Sequence, residues 1–157
     1  MTAPSLAMPA DPTGARRSIP TELFGPLELA DQQILEFPSG IFGFPACHHW
    51  TLIEGARRGT AWLQSVDHSA LAFLLVDPFV YFDGFTAELS PTELRSLDAQ
   101  DPGQIAVFAI VTLPRRREDT PTANLQGPLV INVVARRGTQ VILGETAWGV
   151  QQDLRFD

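Results

Sequence analysis

The sequence contains no lysine; all 11 of its Lys and Arg positions are arginine. This excludes a lysine Schiff base, a PLP attachment, a P-loop lysine and a kinase-type lysine. Cysteine is nearly absent. Cys47 is the only one, so no intramolecular disulfide can form and no oxidising compartment is required. No apolar run approaches the roughly 18 residues that a membrane-spanning helix needs. Charge is sparse at 18% of residues, against about 25% in ordinary domains. Positive charge is in deficit, with 18 acidic residues against 11 basic ones and a formal net charge of −7. Such a chain repels phosphate backbones on average and attracts basic partners.

What is present points to one folded domain. The 157 residues are 45% apolar and include 10 Phe and 3 Trp. That is too much core-forming material for a disordered chain. The 12 Gly and 13 Pro imply many turns. Residues 1–19 carry no signal-peptide core, because the apolar stretch at 6–10 is short and contains Pro9. Nor does an apolar run follow Arg16 and Arg17, as a twin-arginine signal requires. We read residues 1–19 as a disordered extension, 20–150 as a β domain and 151–157 as a tail, in a cytoplasmic protein.

Alternating and doubly apolar runs predict about nine short strands separated by turn signals. Residues 22–29 carry Pro26 and suit an edge strand. Short strands follow at 34–37, 48–53, 60–66 and 71–76, with the segment 79–82 and a further strand at 85–89. Residues 105–113, IAVFAIVTL, are apolar on both faces and predict a buried strand. Residues 129–136 and 139–143 read as a hairpin, with Gly138 supplying a positive φ. Ser90-Pro91-Thr92-Glu93 predicts one short helix near 91–98, with Ser90 capping and Glu93 completing the capping box. The resulting fold class is all-β: a single compact, antiparallel, barrel-like domain with one short helix.

Reactive residue types occur but do not assemble into a catalytic motif. Cys47, His48 and His49 alternate on a strand and lack metal-ligand spacing. Ser65, Asp67, His68 and Ser69 include triad residue types, yet triads are assembled in space and no G-x-S-x-G elbow is present. These residues keep a small metal-dependent or Ser/His hydrolase open as an alternative. Arg115, Arg116 and Arg117 form the one basic run, a direct RNA-binding alternative, though Glu118 and Asp119 follow at once. From Asp77 to Asp101 there are six acidic residues and one basic. This suits either a solvated face or a docking face for a basic protein, with apolar anchors from the Phe42/Phe44 loop or from 79–85.

Five segments in register resemble the FliW family of flagellar assembly factors. FPSGIFGF at 37–44 resembles that family's FPxGIxGF. AWLQSVDHSALAFLLVDPF at 61–79 is similar to its LQS…FxVxDPF stretch. IAVFAIVTLP at 105–114 and TANLQGPLVIN at 122–132 resemble its central strand and its TANLxAPIVIN segment. RRGTQVIL at 136–143 resembles its last hairpin. Gly127 stands where alanine is common, and Gln151, Gln152 and Asp153 replace a basic tail segment.

The resemblance implies a compact β barrel without catalytic residues, metal or cofactor. It implies a non-enzymatic regulator that binds the RNA-binding translational regulator CsrA and relieves repression of flagellin mRNA. Flagellin in turn sequesters it in a chaperone-like complex. It implies no direct nucleic-acid or membrane contact, and a monomer when free. Phe42, Phe44, Asp77, Phe79, Asp83 and Asn124 are the candidate protein-binding residues.

Overall fold

The computed structural model describes residues 16–144 and 146–156. Seven strands close into a barrel: β3 (Leu35–Glu36), β4 (His49–Glu54), β5 (Thr60–Ser65), β6 (Ala72–Val76), β7 (Ile105–Thr112), β8 (Thr122–Asn132) and β9 (Arg137–Gln140). Around the ring the order is β8-β7-β6-β5-β4-β3-β9, and β9 returns to β8. Neighbours are antiparallel with one exception. At the β3–β9 seam the strands run parallel through the single pair Glu36 and Arg137. The antiparallel expectation therefore holds everywhere but at closure, where the chain returns to its first barrel strand.

The interior is filled by side chains from alternate positions. Trp50 and Leu52 of β4, Ala61 and Leu63 of β5, Leu75 of β6, Ala106 and Phe108 of β7, and Leu129 and Ile131 of β8 pack with Leu35 and Phe37. The residues between them on β7, namely Ile105, Val107, Ala109 and Val111, face outward into a second core. Phe82, Phe85, Leu97, Val141, Leu143 and Leu154 cover that outer face. A strand buried on both faces is continuously apolar, which is why 105–113 carries no alternation.

The β6–β7 connection supplies most of the cover. It holds α1 (Pro78–Tyr81) and α2 (Pro91–Ser96). In α2, Ser90 Oγ accepts from the Glu93 N–H at 3.1 Å and Glu93 Oε1 accepts from the Ser90 N–H at 2.8 Å. The capping box sits as expected, and the helix stops at Ser96, two residues short of the predicted end. The helix α1 takes in most of the segment 79–82. Asp77 caps it and Pro78 occupies its first position, a start signal already present in Asp-Pro. Residues 85–89 form no strand, although their exposure alternates.

Three boundaries move. First, residues 16–19, read as part of the extension, form β1 (Arg16–Ile19) and pair with β2 (Leu27–Ala30), burying Ile19 and Leu29 against Ile34. The rest of that extension, 1–15, lies outside the described residues. Second, β8 begins at Thr122 and ends at Asn132, so the hairpin turn is 133–136. Asn132 Oδ1 accepts from Val134 and Ala135, and its Nδ2 donates to the Leu97 carbonyl at 3.0 Å, tying the strand end to α2. Third, the tail forms β10 (Gln152–Asp153) on the edge of β8, and Leu154 is buried.

Gly138 does not supply the positive φ of the turn; Arg136 does, at 60°. Gly138 lies within β9 instead. A Cβ there would come within 2.8 Å of three ring atoms of Phe37. The glycine is required by close approach across the closing seam, not by backbone handedness.

A candidate docking face at the barrel rim

The segment 37–45 builds a rigid apolar projection. Gly40 adopts φ 67° and Gly43 φ 90°, a region costly to residues with a Cβ. At Gly40 a Cβ would also meet Phe44 O at 2.5 Å and two Pro45 atoms at 2.7 Å. The Phe44 N–H donates to the Ile41 carbonyl at 2.6 Å, folding the chain into a miniature hairpin with Phe42-Gly43 at its tip. Ile41 is buried and roots the hairpin in the barrel core.

Phe42 is 61% exposed at the tip, and Phe44 is 38% exposed beside it. Phe44 meets Phe73 edge-on at 5.6 Å, and Phe73 lies 5.7 Å from the buried Trp50. An aromatic series thus runs from rim to core. The Phe42 N–H donates to Gln140 Oε1 at 2.9 Å, while Gln140 Nε2 donates to the Gly127 carbonyl at 2.8 Å. Gln140 therefore joins the hairpin to the irregular part of β8.

That irregularity is a bulge. Phe108 pairs with Leu129, but Ile110 pairs with Asn124, so two steps on β7 answer five on β8. Asn124 Oδ1 stabilises the bulge by accepting from Gln126 N–H at 3.2 Å and Gly127 N–H at 2.9 Å. The bulge also exchanges the faces of β8. Ala123 and Leu125 enter the outer core, and Leu129 and Ile131 the inner one. Pro128 is tolerated because it sits in this break. A Cβ at Gly127 would lie 3.2 Å from Asn124 Nδ2 and 3.6 Å from the methyl of Ile142, itself 56% exposed.

The fold therefore brings Phe42 and Asn124 to Gln140 and Gly127, with Ile142 beside them and Phe44 two residues along the same hairpin. The sequence reading missed Gln140 and Ile142. A polar and an apolar residue in a terminal hairpin carry no local mark of what they touch.

Asp77, Phe79 and Asp83 belong to the segment over the outer face. Asp77 is 8% exposed, and its Oδ1 accepts the Phe79 N–H at 2.9 Å as the cap of α1. Phe79 is half-buried, edge-on to Phe85 at 5.2 Å. Asp83 is exposed in the turn after α1. Burial pushes the Asp77 carboxyl above its ordinary 3.8, opposed by hydrogen bonds from the Phe79 and Val80 backbone. A raised folded pKa means that the stabilising contribution is complete below the unfolded value. It is then lost as pH rises through the raised one. Asp77→Asn keeps a capping oxygen without the buried charge. Its stability relative to the parent should therefore rise as pH climbs from about 4 through that window. Asp77→Ala should lose about 1 kcal/mol and some 2–4 °C of melting temperature. Thermal melts of the three proteins across pH check both.

The reactive residues of 47–49 and 65–69 have structural engagements. Ser65 Oγ accepts from the Asp67 and His68 N–H groups at 3.1 and 2.9 Å. Gln64, fully buried, donates to the Ser65 and Leu71 carbonyls at 3.0 and 3.1 Å and shapes the same loop. His49 Nδ1 lies 3.6 Å from Asp67, and His48 Nε2 lies 2.9 Å from the Pro45 carbonyl oxygen. Among the described residues no three His, Cys, Asp or Glu converge as metal ligands. No helix there is long and apolar enough to cross a membrane. Arg115, Arg116 and Arg117 are exposed between β7 and β8.

Fold and rim together define a class: a small closed β barrel whose interior is packed with side chains and whose exposed aromatics stand on a glycine-braced hairpin. The family model described as "FliW protein" matches residues 18–154. The chain is 34% identical over 136 residues to the flagellar assembly factor FliW of Treponema denticola, covering 87% of this chain and 92% of that one. It is 36% identical over 135 residues to the FliW of Ruminiclostridium cellulolyticum, covering 85% and 90%. A crystal structure of the flagellar assembly factor FliW superposes with a TM-score of 0.80 at 34% identity, over 87% of this chain and 96% of that one. The chain belongs to the FliW family of flagellar assembly factors.

Proposed function

We propose that this chain acts by binding proteins, not by catalysis. It binds a CsrA-type RNA-binding regulator, freeing flagellin mRNA for translation, and is itself sequestered by flagellin. It works in the cytoplasm as a monomer when free, with no cofactor and no direct contact with nucleic acid or membrane. The observation that carries the reading is the rim hairpin. Phe42 and Phe44 are solvent-exposed yet held in place, and exposed aromatic groups on rigid backbone are what interface anchors require. The net charge of −7 supports a basic partner and disfavours RNA. Candidate contacts are Phe42 and Phe44, held by Asn124 and Gln140, with Asp83 as an exposed charge on the adjoining acidic segment and Asp77 and Phe79 supporting that segment from beneath.

Calorimetry with the regulator and the flagellin of the same organism tests this. Each should bind, and the regulator's affinity should fall as salt rises from about 50 to 500 mM, since steering by opposite charge is screened over a Debye length. Flagellin leader RNA alone should give no heat at physiological salt. Failure of both proteins to bind would overturn the proposal.

A further inference from the structure

Three of the 11 arginines line one cleft beside the seam where β3 meets β9. Its volume is about 430 Å³, within the range of small-molecule sites. Arg17 comes from β1, His49 from β4, and Arg136 and Arg137 from the last turn residue and the start of β9. Asp31 and Glu36 are the acidic residues of the described lining. Three guanidinium groups against two carboxylates leave this spot at +1 with His49 neutral, on a chain whose net charge is −7.

These cations are only partly matched. Arg137 lies 3.9 Å from Glu36, a half-exposed pair too long for a hydrogen bond. Arg136 donates one N–H to the Asp31 carbonyl at 2.5 Å, which fixes the guanidinium and leaves most of its five donors unused. Among the described residues neither Arg17 nor Arg136 pairs with a carboxylate, although acidic residues outnumber arginines 18 to 11. Arg136 is also held at φ 60°, and its carbonyl accepts the Glu36 N–H at 2.9 Å. Left-handed backbone at a residue with a side chain is costly and concentrates at ligand clamps.

Guanidinium groups recognise phosphate and carboxylate through paired N–H donors. A terminal phosphoryl group offers three oxygens to three arginines, where a carboxylate offers two. A small anion responds mainly to charge within a Debye length, about 8 Å at physiological salt. An RNA strand extends past that distance and meets the acidic surface beyond.

We propose that the cleft at the β3–β9 seam binds a small phosphorylated molecule, its phosphoryl oxygens held by Arg17, Arg136 and Arg137. This site goes beyond the protein-binding reading and stands or falls apart from it.

The probe is inorganic pyrophosphate, titrated into the full chain in phosphate-free buffer of about 50 mM salt, where screening is weak. Calorimetry and the arginine Nε–H signals follow it. Saturable binding is expected with a Kd of about 1 mM or tighter. The signals of Arg17, Arg136 and Arg137 should shift, and those of Arg115, Arg116 and Arg117 should stay. Arg17→Gln should weaken binding about tenfold, the loss of a hydrogen bond between charged groups. Glu36→Gln, which removes a competing carboxylate, should strengthen it severalfold. Asp83→Asn, an exposed charge on another segment, should leave it unchanged. Citrate should bind about tenfold more weakly than pyrophosphate or worse. No saturation by about 10 mM, equal shifts at Arg115–Arg117, or no gain from Glu36→Gln would overturn the site. Citrate binding as tightly as pyrophosphate would overturn its phosphoryl assignment.

Discussion

Phe42→Ala is expected to weaken partner binding about 30-fold or more, the level of an interface hot spot of about 2 kcal/mol. The melting temperature should move by less than about 2 °C. The asymmetry follows from where the side chain sits. At 61% exposure it contributes little to the barrel core. The hairpin beneath it does not need the ring. Its shape comes from Gly40 and Gly43 in left-handed conformations, from the Phe44–Ile41 backbone bond, and from the Phe42 N–H bonded to Gln140. All of these survive truncation at Cβ. Phe44→Ala should behave differently. Its edge-on contact with Phe73 is an aromatic pair worth about 0.5–1.5 kcal/mol, so it should lose both affinity and a few degrees of stability. Calorimetry and scanning melts on the two variants separate the effects. Retention of parental affinity by Phe42→Ala would remove the rim hairpin from the interface.

The largest loss of stability is expected from Gly138→Val. Barrel closure depends on a short seam. The strand β3 meets β9 at one residue pair, and the Phe37 ring lies where a Cβ of residue 138 would go. Phe37 is fully buried and packs with Trp50 at 6.4 Å, so the ring has nowhere to retreat. Overpacking of this kind costs about 3 kcal/mol, which lowers the melting temperature by roughly 6–12 °C in a domain of this size. Gly138→Ala should lose less, about 1–2 kcal/mol. Arg136→Gly is the contrasting variant. Arg136 holds φ 60°, a strained value for a residue with a side chain, so glycine there relieves strain even as the Arg136 bond to the Asp31 carbonyl is lost. Its stability should stay within about 1 kcal/mol of the parent. If Gly138→Val melts with the parent and Arg136→Gly collapses, the seam is not what closes the barrel.

The hairpin around Arg136 shows how far local sequence reaches. Arg-Gly between two apolar runs is a turn signal, and a turn was there, but two residues earlier than glycine suggested. The physical demand on Gly138 comes from Phe37, which is 101 positions earlier in the chain by number and enters the same seam only after closure. Asn124 is similar. A polar residue in a strong strand reads as a structural amide, and it is one. That it supports the bulge exchanging the two faces of β8 depends on the register with β7. Asp77 was read for its charge, and its principal engagement is a helix cap under cover.

The sequence alone determined what short-range chemistry can encode. The capping box at Ser90 and Glu93, the doubly apolar strand at 105–113, the Phe42/Phe44 loop and the family-like order of segments all lie within windows of a few residues to a score. Caps, turns and strand periodicity act over that range. The absence of lysine was equally legible, and it excluded lysine chemistry whatever the fold. Only the tertiary structure decided which strands meet, which face of β8 is inner at each end, and which aromatics remain outside. Closure turns on the parallel contact of β3 with β9, and the rim on a hydrogen bond between Phe42 and Gln140, 98 residues apart. Strands apolar on both faces have no preferred inside until a register is chosen, and register in a closed barrel is fixed jointly by all its strands.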